Sequence, residues 1–420
     1  VRRLIERAQT TPGQLSLITV IVVALGLASG VAAWLAAVQR AELVHDMTVR
    51  SSPLGVSAVD IYRSLSDADA TVANAFISGG TQSPALRARY VDDLSRASAA
   101  LVVASHNLPG GDAAEELTVL STQVPVYAGL VETAWAISRQ GFPLGAAYLR
   151  EASGLMRNTL LPAAQRLYES EKVQFAQAVD RSTAIPRVAV GLAGLTILAL
   201  FVVQAYLIRR TNRVFNIGLV LATVAALGGI SWLGLASAAA ARHVDTGHRR
   251  GLEQAQVLAE ARIAALQARA DESLTLVARG SGQDFENDFT NAIDHLDGLL
   301  VRAAGGAPDP ARRAGIDGIR EDVRVWRQTH VQLRAYDDGG LYPDAVELAT
   351  GTAATDMPVV FGNVDDALDR EIGLHNGLFA REAAAGAGDL AGSDTGVAVL
   401  TLVLVSGVTL GIQRRIAEYR

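Results

Sequence analysis

VAVGLAGLTILALFVVQAYLIRRTNRVFNIGLVLATVAALGGISWLGLASA (Val188–Ala238) contains two apolar runs, Val188–Ile208 and Val214–Ala238, separated only by Arg209–Arg213. A helix rises about 1.5 Å per residue, so roughly 20 apolar residues cross the hydrocarbon core of a bilayer. Both runs reach that length, and the short Arg-rich link between them leaves room only for a turn. Working outward, Leu15–Val38 is a third such run. Val397–Ile412 is a fourth, short unless Thr395 and Gly396 are counted with it. Polar segments of similar size, 39–187 and 242–394, lie between the first and second runs and between the third and fourth. The pattern predicts an all-α membrane protein with four transmembrane helices and two large domains on one side.

Charge assigns the sides. The tips of one face carry Arg2, Arg3, Arg7, Arg209, Arg210, Arg213, Arg414, Arg415 and Arg420, opposed only by Glu6 and Glu418, in a chain whose net charge is −6. Short Arg-rich flanks stay in the cytoplasm, whereas large domains translocate largely regardless of charge. The expected topology at the plasma membrane is therefore a cytoplasmic N-terminus (1–14), helix 15–38, an extracytoplasmic bundle 39–187 and helix 188–208. A cytoplasmic loop (209–213), helix 214–241 with its extension, a second bundle 242–394, helix 395–412 and a cytoplasmic C-terminus (413–420) follow. The first run is read as an anchor, since it is longer than the ~7–15 residues of a signal-peptide core.

Within each polar segment, apolar residues recur at three- and four-residue spacings, interrupted by Gly/Pro turns. In the first, Gly79-Gly80, Pro109-Gly110-Gly111 and Gly141-Phe142-Pro143 divide four long helical patterns. In the second, the patterns cover about 251–277, 284–303, 312–336 and 342–380. Four helices with short turns predict an up-and-down bundle. The halves also match locally: Asp69-Ala-Thr-Val72 with Asp271-Glu-Ser-Leu274, Gly141–Leu149 with Gly340–Leu348, and Pro162 with Pro358. Their common order and nearly constant spacing indicate internal duplication. Segment 39–187 is almost balanced in charge, whereas 242–394 is strongly acidic, which favours a basic or neutral partner surface or simply keeps an exposed bundle soluble.

No motif for catalysis is present. The chain has no Cys, which removes disulfides, thiolate metal sites and a Cys nucleophile. There is no phosphate-binding loop, dinucleotide fingerprint or His-Glu-x-x-His, and His243 and His248 have poor helical registry for a shared ion. The expectation is a non-enzymatic protein without cofactor or metal. The apolar runs contain no Asp, Glu, Lys, Arg or His, which weighs against an ion-coupled transporter. Their small residues, including Gly26, Gly30, Gly191, Gly194, Gly228, Gly229 and Gly234, permit close helix packing within the protein or in a homo-oligomer. Two sets of residues are candidate contacts: Arg209, Arg210 and Arg213 on the cytoplasmic side, and Asp294 and Asp297 as an extracytoplasmic acidic surface for a basic partner. Gly386, Gly388, Gly392 and Gly396 mark a hinge before the fourth run.

Long helices joined to membrane helices without flexible spacers suit a receptor, and so little cytoplasmic sequence leaves output to a separate protein. With its four crossings, two outer helical domains, missing cytoplasmic module and Ala/Arg-rich composition, the chain resembles the four-pass membrane signal transducers of the glutamine-homeostasis pathway of mycobacteria and other actinobacteria. The resemblance spans the full length but rests on architecture rather than a diagnostic motif. It implies a transducer that binds an extracytoplasmic aspartate/glutamate-binding lipoprotein and relays nutrient status to a cytoplasmic Ser/Thr protein kinase. Direct small-molecule sensing by the bundles is an alternative, and a non-signalling envelope assembly or scaffold protein is another.

Overall fold

The computed structural model describes residues 11–46, 52–77, 84–106, 112–140, 144–183, 187–211, 216–278 and 282–417. Every regular element among them is helical. The first half holds α1 (Thr11–Asp46), α2 (Ser52–Ile77), α3 (Pro84–His106), α4 (Asp112–Arg139), α5 (Gly145–Leu155), a π-turn (Met156–Leu160), α6 (Leu161–Thr183) and α7 (Arg187–Thr211). The second holds α8 (Ile217–Gly247), a π-turn (His248–Leu252), α9 (Glu253–Ala278), α10 (Gln283–Gly306), α11 (Pro310–Asp338), α12 (Tyr342–Thr350), α13 (Met357–Leu390) and α14 (Ser393–Ala417). These elements form two compact units, an apolar one from Val1–Asp46, Ala178–Asp245 and Glu382–Arg420, and a polar one from Met47–Gln177 and Thr246–Arg381.

In the apolar unit, four helices among the described residues are long and apolar enough to cross a membrane. Helix α1 packs on α7 and α14. Val22, Leu200, Leu219, Leu404 and Val408 meet in the interior, while Leu17, Val20, Val202, Leu235 and Leu402 point outward and exposed. Water rejects such an apolar exterior and lipid accepts it. Polar anchors tie the helices: Gln204 Nε2 donates to Leu219 O (3.1 Å) and Thr223 Oγ1 (2.8 Å), and Asn216 Nδ2 donates to Gly411 O at 2.8 Å. At Gly218 a Cβ would lie 2.5 Å from Gly407 O, so only glycine allows α8 and α14 this close. Of the small residues singled out in the sequence, Gly26 and Gly30 press against Leu404 and Thr401, whereas Gly191, Gly194, Gly228 and Gly234 have no such neighbour within 4 Å.

In the polar unit, α2 packs on α3 and α9 on α10, and α2 and α9 pack on each other. Buried residues of both segments form one continuous core, from Ala58 and Leu65 to Leu258, Trp326 and Leu368. Helix α9 is Ala-rich and about two thirds of its residues are buried, as expected of a helix without a continuous polar stripe. Helix α11 shows the opposite pattern, a seam of Ile316, Ile319, Val323, Trp326, His330 and Leu333 in alternating steps of three and four. It starts where Asp309 Oδ1 accepts from Arg312 N (2.9 Å), with Pro310 in the first turn.

Two helical patterns of the sequence end differently from expectation. The run expected over 342–380 is split into α12 and α13, because Gly351 leaves the helix extended and Pro358 fits the first turn of a new one. Pro162, its counterpart in the first half, is accommodated inside a helical segment, directly after the π-turn Met156–Leu160. A proline lacks the donor an interior α-turn needs, and a π-turn before it absorbs the mismatch. At the candidate hinge, Gly392 has φ +75° and separates α13 from α14, a conformation that other residues adopt only with strain.

Candidate functional site: the seam between the two halves of the polar unit

Burying α9 carries Arg262, Arg269 and Glu272 inward, and each of them demands a partner. Arg262 is 2% exposed and forms the hub of the seam. Its Nε and Nη2 donate to the two oxygens of Asp365 on α13 (2.6 and 3.2 Å), and Nη1 donates to Asp369 (2.6 Å). The fork of a guanidinium matches a carboxylate in this bidentate way. From α2, Arg63 Nε lies 3.0 Å from Asp365 Oδ2, and Asp67 is 3.7 Å from Arg63. Burial pushes the Asp67 carboxyl up to about 6, against the pull of Arg63. Further contacts between the halves are Lys172 Nζ to Glu260 (2.6 Å), Tyr168 Oη to Gln256 O (3.3 Å) and Arg157 over the Phe285 ring (4.8 Å).

Beside Arg262 the seam opens into a cavity of about 190 Å³. Val59, Tyr168, Leu252, Ala255 and Ile372 give it apolar walls, and Asp60, Glu171, Gln256, Asp369 and Asn376 give it polar atoms. Glu171 is 5% exposed, and its buried Oε1 has no hydrogen-bond partner. Burial raises the Glu171 carboxyl to about 7. Asp60 is also raised, by burial, although Arg262 pulls it the other way.

Each half holds one buried carboxylate on its first long helix. Asp69 accepts from Tyr127 Oη of α4 (3.1 Å) and Ser153 Oγ of α5 (3.0 Å). Burial raises its pKa, and those two hydrogen bonds only partly offset the rise. In the second half the buried acid is Glu272, which receives Arg269, Trp326 Nε1 (3.3 Å) and His330 Nδ1 (2.9 Å). His330 Nε2 meets Glu286 Oε1 at 3.0 Å, and Arg334 Nε lies 3.4 Å from Glu286. The imidazole stacks on Phe289 with centroids 3.7 Å apart. Burial alone would lower the His330 pKa, but hydrogen bonds and charge from Glu272 and Glu286 win and raise it to about 9. The same cation draws Glu272 below the usual carboxylate value despite its burial. Asp271, the residue matched to Asp69 in sequence, is raised to about 7 by burial.

The residues named from the sequence fall elsewhere. Asp294 and Asp297 lie on the exposed face of α10, where Asp294 pairs with Arg327 (2.5 Å) and Asp297 with Arg320 (3.6 Å), both on α11. Arg209 is exposed at the end of α7. The side chain of Arg210 and all of Arg213 lie outside the described residues. His243 meets Glu382 (2.7 Å) and Asp389 (3.6 Å), while His248 is 3.5 Å from Glu253. No group of three or more His, Asp or Glu among the described residues is placed to hold a metal ion. Sequence reasoning missed Arg262, Glu272 and His330. His330 left a signal, since it occupies an apolar slot in the seam of α11, whereas Arg262 and Glu272 are lost among the other polar residues of α9, such as Glu253, Gln256, Glu260, Gln267 and Asp271.

Residues 43–180, about a third of the chain, match the family model of an actinobacterial sensor domain. This span runs through α2–α6, including Asp60, Asp69 and Glu171. No curated protein and no solved structure matches the chain. Together with four helices able to cross a membrane, the match points to a sensing or signalling role in a membrane protein.

Proposed function

We propose that the chain is a four-pass transducer of the plasma membrane, with its polar unit outside, its termini and Arg209–Arg213 inside, and no catalytic reaction of its own. The observation that carries this reading is the sensor-domain match lying in the polar unit, between two helices apolar enough to span a membrane. In this reading the polar unit binds an extracytoplasmic aspartate/glutamate-binding lipoprotein, and a cytoplasmic Ser/Thr kinase reads the Arg-rich tips. The architectural resemblance supports those two partners. An internal duplication that gave both halves is supported by the matched sequence segments.

The absence of Cys makes the topology directly testable. Arg302→Cys, exposed on α10, is expected to react with a membrane-impermeant maleimide on intact cells, and Arg209→Cys only after permeabilisation. The reverse pattern refutes the placement. Affinity purification from native membranes, with and without aspartate or glutamate, is expected to recover an amino-acid-binding lipoprotein in ligand-dependent amount; failure to do so removes it as the input. A second reading, direct recognition of a small molecule by the polar unit, is favoured by the cavity beside Arg262.

A further inference from the structure

The cavity in the seam contains carboxylate that the protein does not use. Its two cations are already committed: Arg262 to Asp365 and Asp369, and Lys172 to Glu260. Asp60 and Glu171, from α2 and α6, line the same space, and among the described residues neither has a hydrogen-bond or ion-pair partner, although the Arg262 charge acts on Asp60. Glu171 is 5% exposed, and bulk water does not reach its Oε1 to take the partner's place. We propose that this cavity binds a small organic cation, a protonated amine on a short aliphatic body; the proposal rests on the direct-recognition reading above and names its ligand class.

The chemistry selects against other occupants. An anion would find no free cation, since both basic groups are satisfied from within the protein. A hard divalent ion asks for six or more oxygens, and only two carboxylates are unclaimed. The apolar walls suit a methylene chain, while Asn376 and Gln256 supply neutral polar groups at its end. A volume of about 190 Å³ corresponds to roughly six waters, which fits a molecule of the size of a diamine and rejects a peptide. Because Asp60 belongs to the first half and Asp369 to the second, an occupant touches both and biases how the seam closes.

The test uses the full chain in nanodiscs of zwitterionic lipid, titrated calorimetrically with 1,4-diaminobutane and, separately, with aspartate, glutamate and NaCl at matched ionic strength. Saturable binding of the diamine is expected, weakened at least tenfold in Glu171→Gln and in Asp60→Asn. Both variants are isosteric, and circular dichroism must show them as helical as wild type. Affinity is also expected to rise about tenfold from pH 6 to pH 8, because Glu171 ionises around 7, and the raised Asp60 carboxyl acts in the same direction. Equal binding by wild type and both variants overturns the proposal, as the amine then sits elsewhere. Binding of aspartate or glutamate without the diamine overturns the cation but keeps direct recognition; binding of none of the probes overturns both.

Discussion

Raising the pH should loosen the polar unit through one residue, His330. Its imidazole is 4% exposed and bridges Glu272 and Glu286, with a pKa of about 9 against 6.5 for a free histidine. A histidine whose folded pKa lies above its unfolded value stabilises fully below the unfolded value, and that contribution disappears as pH rises through the folded one. With 1.36 kcal/mol per pKa unit, the contribution is about 2 kcal/mol at pH 7.5 and nearly nothing at pH 9.5. For units of this size 1 kcal/mol moves Tm by roughly 2–4 °C, so a fall of about 4–8 °C is expected across that window. Glu171 and Asp271, both near 7, are already ionised at its start and add little. The assay is thermal unfolding of the full chain in detergent by tryptophan fluorescence, since Trp326 shares Glu272 with His330. His330→Gln isolates the effect: it should be less stable than wild type at pH 7.5, with the gap shrinking by about 2 kcal/mol by pH 9.5. A gap that stays constant from pH 6 to pH 10 would mean that His330 is neutral, and the reasoning fails.

Three further outcomes follow from the same geometry. Arg262→Met should cost about 3–5 kcal/mol in chemical unfolding, because it strips a partner from buried Asp365, and adding Asp365→Leu should recover at least half; a double variant no better than the single one refutes this account. Asp69→Asn should stabilise at pH 8 and lose its advantage below the unfolded value of 3.8, since burial makes ionisation unfavourable there. Asp69→Ala should instead cost about 1–3 kcal/mol by stranding Tyr127 and Ser153, as urea titration would reveal. In the apolar unit, Gly218→Leu should destabilise by at least about 1–3 kcal/mol through overpacking against Gly407 and Gly411, while Gly228→Ala, with open space around it, should be neutral in SDS-induced unfolding.

The helices were legible in the sequence because their cues are local. Apolar runs of membrane length, steps of three and four, and Gly/Pro turns all act within a few residues of the position they govern. The same cues misjudged 342–380, where a glycine and a proline divide one pattern into two helices, and they gave Pro162 and Pro358 the same meaning although one sits behind a π-turn and the other opens a helix. Arg209 was legible as a charge at the end of an apolar run, and Asp294 and Asp297 as exposed acids, but not that each acid already has an arginine across the helix pair.

What the sequence determined by itself is the all-helical class, the four apolar runs and the helical patterns of two polar segments. Only the tertiary structure decided that those segments share one core through α2 and α9. It also decided that Arg262 and Glu272 face inward, and that Glu171 lies beside Asp60 with no partner. The reason is physical: periodicity fixes which residues share a face, whereas the partner that face meets, and therefore the dielectric and charge around each ionisable group, comes from residues tens or hundreds of positions away.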